Sequence, residues 1–387
     1  MRGRTGSRTP SSSRVQVSLL VGVALVSAGL ATTTSGEDIG TFRAESFGRT
    51  VAEAAETTPR FLDGQAVLAP IPFVNPTLES GLGLAAAYLF TTDPAAETSY
   101  VGIGGFRATN GSRGAGFALS LSLAEDRWRA FALVGAADVR YDVAALGREF
   151  PISQDGWATR IDLRRRIRDR VFVGGQVRYL DVSTGLRRGD RPFGERVAGA
   201  GVDVTAGLVG PSFEADFRDD SINPRRGWRL NAVALQSFAE PFDRVGWFEY
   251  GKGTVLLDGF VPVVDDATLA LRLAGCHVRG EAPFFDLCAL GGDDAFRGYA
   301  VGRFLGDSLL SAQAEYRGRL TGRWGWTTFA GVGHVGTPLD RGTPDLLPAV
   351  GAGLRFRLSE EFGLDFSTDI AVGTEGPALY VYLGQNF

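Results

Sequence analysis

The chain has 387 residues, of which 44% are hydrophobic and 22% charged, with a formal net charge of −4. A mean hydropathy of +0.02 is too low for a bundle of membrane helices, and no basic patch is concentrated downstream to hold nucleic acid. Gly 53, Phe 26 and Trp 6 against Met 1 and His 2 suggest strands, turns and aromatic belts, and Lys252 is the only lysine.

Residues 1–31 come first. Arg2, Arg4, Arg8 and Arg14 precede the apolar run Val15–Leu30, which ends in small residues. A positive region, an apolar region and a small-residue cleavage site make a secretory signal peptide. The run is short for a membrane-spanning helix, and a retained anchor is the alternative. No second long apolar run follows, so an exported chain stays periplasmic, leaves the cell or inserts as a barrel. Residues 32–63 are polar and rich in Ala, Glu and Thr, and form a short periplasmic segment.

From Gly64 to Phe387 the pattern is short alternating runs bounded by turn residues. Phe362, Leu364, Phe366 and Ile370 share one face, with Gly363, Asp365, Ser367 and Asp369 on the other. Val350, Ala352, Leu354 and Phe356 alternate with Gly351, Gly353, Arg355 and Arg357. Period two marks strands with one apolar and one polar face. In a membrane barrel the apolar face meets lipid and the charged face lines the lumen, so Asp365, Asp369, Glu214 and Asp216 read as solvated wall charges. The pattern predicts an all-β antiparallel transmembrane barrel of sixteen strands: 64–74, 81–92, 97–109, 115–124, 129–143, 156–168, 170–184, 203–219, 227–238, 248–262, 267–276, 308–320, 324–336, 348–358, 361–371 and 378–387. Each reaches the ~9–11 residues that a tilted spanning strand needs. Short turns such as 125–128, 168–170 and 321–323 alternate with longer loops at 145–154, 185–201, 277–307 and 337–347. Short periplasmic turns and long outer loops are the membrane-barrel asymmetry. Trp128, Trp228, Trp324 and Trp326 sit beside the short turns, where an interfacial girdle belongs.

Cys276 and Cys288 are the only cysteines. In an oxidising compartment a pair in one loop reads as a disulfide. The alternative is a metal site with His277, which supplies only three ligands. There is no Gly-x-Ser-x-Gly nucleophile elbow, no phosphate loop and no histidine cluster. The sequence therefore points to no enzyme, no cofactor and no metal.

Arg297-Gly298-Tyr299 lies between the alternating runs, within GGDDAFRGYAVGRF and ahead of AQAEYR. Taken alone it is a glycine turn with an exposed arginine. Together with FRDDSINPRRGW at 217–228 and NPTLESGLGLAAAYLF at 75–90, it resembles the bacterial surface antigen and BamA–TamA superfamily of outer-membrane assembly factors. The chain is similar to a short member without the periplasmic POTRA domains. The resemblance implies that the loop between the eleventh and twelfth strands folds into the barrel and carries Arg297 to a carboxylate on the wall. Glu315 on the next strand is the candidate, with Asp293 or Asp294 as local substitutes. Where the family usually has Phe-x-Asp-x-Gly, this chain has Phe329-x-Gly331-x-Gly333, and the two glycines leave space for the arginine. Phe387, closing Leu379-x-Val381-x-Leu383-x-Gln385-x-Phe387, resembles an outer-membrane targeting signal, from which the polar Gln385 departs.

These features imply an integral outer-membrane protein surrounded by lipid, handling a client polypeptide or lipid, or meeting a partner outer-membrane or periplasmic protein, through its first–last strand seam or its lumen. A passive channel or structural barrel is the alternative. A soluble exported β-protein is a third reading, which the outward apolar face and Phe387 disfavour.

Overall fold

The structure is a computed structural model, and it describes residues 64–93, 96, 99–188, 191–192, 202–220, 223–238, 249–264, 267–292, 295–359 and 364–387. The expected signal peptide and the segment 32–63 lie outside the described residues, as do Asp293 and Asp294.

Sixteen long strands form the wall. They are β1 (Gln65–Asn75), β2 (Glu79–Phe90), β3 (Ser99–Ala108), β4 (Arg113–Leu123), β5 (Trp128–Ala145), β6 (Arg148–Arg168), β7 (Val171–Arg188) and β8 (Val202–Asp216). The second half comprises β9 (Gly227–Phe238), β10 (Tyr250–Val264), β11 (Ala267–Gly280), β12 (Leu305–Thr321), β13 (Trp324–Pro338), β14 (Leu347–Ser359), β15 (Leu364–Gly373) and β16 (Gly376–Leu383). Two-residue strands at Arg191–Pro192 and Cys288–Ala289 add to the hairpins beside the wall. Each strand pairs antiparallel with its sequence neighbours, and β1 meets β16 to close the barrel. The sixteen strands expected from the period-two pattern are all present.

The outer face is a band of exposed aliphatic side chains, including Leu82, Leu84, Ile103, Ile161, Leu163, Leu271, Leu273, Val350, Leu354 and Ile370. At the end carrying the short turns, Trp128, Trp228 and Trp324 are exposed. Aromatic neighbours flank them there, with Phe217 4.8 Å from Trp228, Phe356 4.9 Å from Trp324 and Tyr316 5.5 Å from Trp326 between ring centroids. The ladder slips at Arg166/Arg168, Pro262/Val264, Arg319/Thr321 and Arg357/Ser359. All four irregularities sit at this rim, where bulges usually end pairing.

The expected loop at 145–154 is instead a continuous hairpin. β5 and β6 pair up to Ala145↔Arg148. Leu146 and Gly147 both have positive φ, 53° and 72°. Two central residues of this kind form the turn that matches strand twist. The Gly147 amide donates to Asp340 Oδ1 at 2.9 Å, so the hairpin tip rests on the β13–β14 connection.

The inner face has two zones. Toward the loop end it is apolar: Val139, Tyr141, Leu180, Val182, Leu208, Tyr250 and Val278 pack with loop residues Phe285, Leu290, Phe296, Tyr299 and Phe304 in one buried cluster. Toward the turn end it is charged, with Arg160, Asp162, Arg164, Glu214, Arg229, Asp258, Arg272, Glu315, Arg317, Arg355, Asp365 and Asp369 all buried. The wall carboxylates expected to be solvated are paired instead. Glu214 accepts from Arg164, Asp365 from Arg357 and from Gln385 Nε2 (2.6 Å), and Asp216 from Arg218 at 2.7 Å. Burial explains the pairing, because an isolated ion in a closed interior is costly.

The last residues depart from the expected strand 378–387. β16 ends at Leu383, and Gly384 has a φ of 83° that turns the chain inward. Gln385 then faces Asp365 and Arg355, which accounts for a polar residue where the outward pattern would put an apolar one. Phe387 packs against Phe260 and Ala270 in the lumen, beneath the Arg272 guanidinium 4.7 Å from its ring.

The outward apolar band gives the first prediction. Leu271→Arg, near the middle of β11, should destabilise the folded barrel by about 2–4 kcal/mol. Urea titration of heat-modifiable gel mobility in detergent or vesicles measures this, and an unchanged midpoint would contradict a lipid-facing surface.

Candidate functional site: the inward loop and its wall pins

Between β11 and β12, residues 281–292 and 295–304 enter the barrel. Cys276 on β11 is bonded to Cys288 in this segment, with a Cα–Cα separation of 5.8 Å. The bond removes both sulfurs as thiolate ligands, and His277 points away on the exposed face. Among the described residues, no group of three or more His, Cys, Asp or Glu is placed to hold a metal ion.

The loop is pinned at two nodes of opposite sign. At the first, Asp286, in the short helical turn Phe284–Asp286, accepts from Arg178 on β7, from Tyr250 Oη on β10 at 2.5 Å and from Lys252 Nζ at 3.4 Å. The chain's single lysine is therefore buried against a loop carboxylate. At the second node, Arg297 donates through Nη2 to Glu315 on β12 and through Nη1 to Asp369 on β15. Arg297 is 3% exposed and both carboxylates 0%. The guanidinium lies over the Phe329 ring, 3.5 Å from its centroid. Tyr382 Oη donates to Asp369 at 2.6 Å, while Arg355 and Arg317 supply further donors to Asp369 and Glu315. A planar, permanently charged fork that engages two carboxylates is a role for arginine that lysine cannot copy.

Gly298 and Tyr299 fix the approach. Gly298 has a φ of 115°, and a Cβ there would stand 3.0 Å from the Ala349 Cβ. Its amide donates to Tyr380 Oη at 2.8 Å. Tyr299 Oη donates to the Pro348 carbonyl at 2.6 Å, and its ring covers Gly373, where a Cβ would lie 2.8 Å from the ring. Further on, Val301 N reaches Thr77 Oγ1 at 2.9 Å and Arg303 pairs with Glu375 at 2.7 Å.

The placement differs from the sequence expectation in two respects. Gly331 and Gly333 make room for the loop's apolar side chains, not for Arg297. A Cβ at Gly331 would lie 2.7 Å from Phe296, and one at Gly333 2.4 Å from Leu290. Glu315 also shares Arg297 with Asp369, which lies 72 residues after the arginine and is paired here, not a solvated wall charge. Sequence reasoning does not reach Asp286, Tyr380 and Tyr382, and it quotes Phe329 in the family signature without foreseeing its contact with Arg297. Their only signal is an inward register position on an alternating strand, or for Asp286 an acid, with Glu281, in the cysteine-bounded loop.

These contacts predict strong coupling. Arg297→Ala leaves two buried carboxylates short of a partner and should cost about 3–5 kcal/mol. Glu315→Gln should cost less, because Asp369 still engages Arg297. Double-mutant cycles of Arg297 with Glu315 and with Asp369, read by thermal unfolding and protease access to residues 281–304, should both be non-additive. Additive effects would remove the pin. Gly333→Val should release the loop through Leu290 without touching any charge.

The Omp85 superfamily domain profile matches residues 114–374. No curated protein sequence matches the chain. Among solved structures it is similar to BamA from Haemophilus ducreyi lacking POTRA domains 1-3. That match has a TM-score of 0.56 and 12% identity, over 83% of this chain and 70% of that one. It is also similar to CdiB from Acinetobacter baumannii, with a TM-score of 0.57 and 11% identity, over 82% of this chain and 59% of the other. CdiB from Escherichia coli gives a TM-score of 0.57 and 13% identity, over 82% of this chain and 62% of the other. Identities this low speak for the barrel alone. The profile, spanning most of the wall and the entire inward loop, places the chain in the Omp85 superfamily of outer-membrane β-barrels.

Proposed function

We propose that this barrel inserts or translocates polypeptide at the outer membrane, and that the client engages the β1–β16 seam. The observation that carries this reading is the asymmetry of the closure. β1 holds eleven register pairs with β2, from Gln65↔Leu89 to Asn75↔Glu79, but a single one with β16, Val74↔Val381. Pro70 and Pro72 are two residues apart and so remove two donors from the same edge of β1. Proline is tolerated on the edge turned away from a full ladder. The missing donors help to explain why β16 pairs so little with β1, and the carbonyls and remaining N–H groups of this edge are left for an incoming strand.

A passive channel is less well supported. The inward loop, the apolar cluster and the charged belt occupy the lumen, and the tail at 384–387 lies within it. In this reading residues 1–31 are the cleaved export signal, the short turns face the periplasm and the inward loop enters from outside. N-terminal sequencing of the membrane-inserted protein tests the export signal.

The seam is tested by locking it. Residues directly opposite in an antiparallel pair lie within disulfide range. The variant Val74→Cys/Val381→Cys, oxidised in vesicles, should lose insertion of a denatured β-barrel polypeptide and regain it on reduction, while the unmodified barrel tolerates both treatments. A locked barrel that inserts its client as fast as the open one overturns the proposal. A steady, wide-pore conductance in planar bilayers would favour the channel.

A further inference from the structure

The short turns β4–β5 and β6–β7 and the described residues of the β8–β9 connection form one continuous surface at the turn end. Arg166 N donates to the Arg127 carbonyl at 2.8 Å, and Asp216 N to the Arg170 carbonyl at 3.1 Å. Arg170 Nη1 reaches the Arg218 carbonyl at 3.0 Å. This surface is rich in arginine; among its acids Glu125, Asp169 and Asp220 are exposed, whereas the others are held by arginines or backbone amides. Asp126 is taken by Arg129 and Arg166, and Asp216 by Arg218. Asp219 Oδ1 accepts the Arg225 and Arg226 amides. Arg165, Arg168 and Arg226 are exposed and make no ion pair among the described residues.

Arg165 is the informative one. It continues the outward register of Ile161 and Leu163, so it stands on the lipid-facing side of β6. Its guanidinium lies 5.5 Å from the Trp128 ring, and Trp128 is its direct cross-strand partner. An arginine facing hydrocarbon is costly, but the cost falls nearly to zero where the side chain reaches the headgroup layer beside an aromatic belt. A guanidinium fork fits a phosphate bidentately, and Trp128 marks the depth at which phosphates lie.

We propose that Arg165, Arg168 and Arg226, on the rim marked by Trp128 and Trp228, form a headgroup site for anionic phospholipid in the leaflet at the turn end. The site rests on the membrane orientation given above but not on the seam or on any client. It lies across β4–β9, away from the β1–β16 seam, and so anchors the side of the barrel opposite the closure while leaving the seam free.

The test uses the folded full-length barrel in nanodiscs of phosphatidylcholine with a minor share of phosphatidylglycerol, followed by native mass spectrometry. Retained lipid should be enriched in phosphatidylglycerol. Each of Arg165→Gln, Arg168→Gln and Arg226→Gln should lower that enrichment about fivefold, the factor expected for one arginine at a charged surface. Arg279→Gln and Arg341→Gln, exposed at the opposite, loop end, should leave it unchanged. Heat-modifiable mobility confirms that each variant is folded. Equal retention of both lipids by the unmodified barrel, or enrichment that survives the triple substitution, overturns the proposal. Neither result bears on client insertion, which the seam lock reads separately.

Discussion

The buried contact of Arg297 with Glu315 and Asp369 is the constraint on which the rest of the structure depends. A guanidinium held away from water needs anionic partners, and these come from strands three positions apart in the wall. To reach them the loop must cross the lumen. Crossing it carries Leu290, Phe296, Tyr299 and Phe304 onto the inner wall, where glycines replace larger residues. The loop also brings Asp286 to the one buried lysine and to Arg178 on the other side. Two ionic pins of opposite sign thus bracket an apolar plug, and the disulfide fastens its base to β11.

This arrangement inverts part of the usual inside–outside logic of a membrane barrel. The inner wall is mostly charged toward the turn end; toward the loop end it is a hydrophobic core built between wall and loop, interrupted by the buried Asp286–Arg178–Lys252 cluster. The protein therefore behaves as a shell with a packed filling. Weakness is confined to one place, the edge between β1 and β16, where a single register pair replaces the ladders found elsewhere. With the lumen filled, the β1–β16 edge is the weakest line in the wall.

Much of the fold was legible in the sequence, because each wall strand alternates and alternation needs no partner to be seen. The β5–β6 hairpin was misplaced as a loop because Leu146-Gly147 is a subtle turn signal inside a run of mixed residues. The site was legible only at its arginine and at the nearer acid. Glu315 lies on the next strand, whereas Asp369 is 72 residues from Arg297 and belongs to a different hairpin. Nothing local distinguishes it from a wetted wall charge. The same holds for Gly331 and Gly333. A glycine signals that something comes close, but not whether the visitor is Arg297 or, as found, Phe296 and Leu290.

The inward turn at Gly384 has a mechanical consequence. Beyond it, Asn386 donates to the Ala295 carbonyl at 3.1 Å, and Arg317 holds the Phe387 carbonyl. The strand that forms one lip of the seam is therefore tethered to the loop two residues before Arg297 and to the strand that carries Glu315. A load drawing β16 sideways would not end at its own hydrogen bonds. It would run through the tail into the loop and on to the wall on both sides of the lumen, so that the seam edge and the loop's ionic pins form a single linkage.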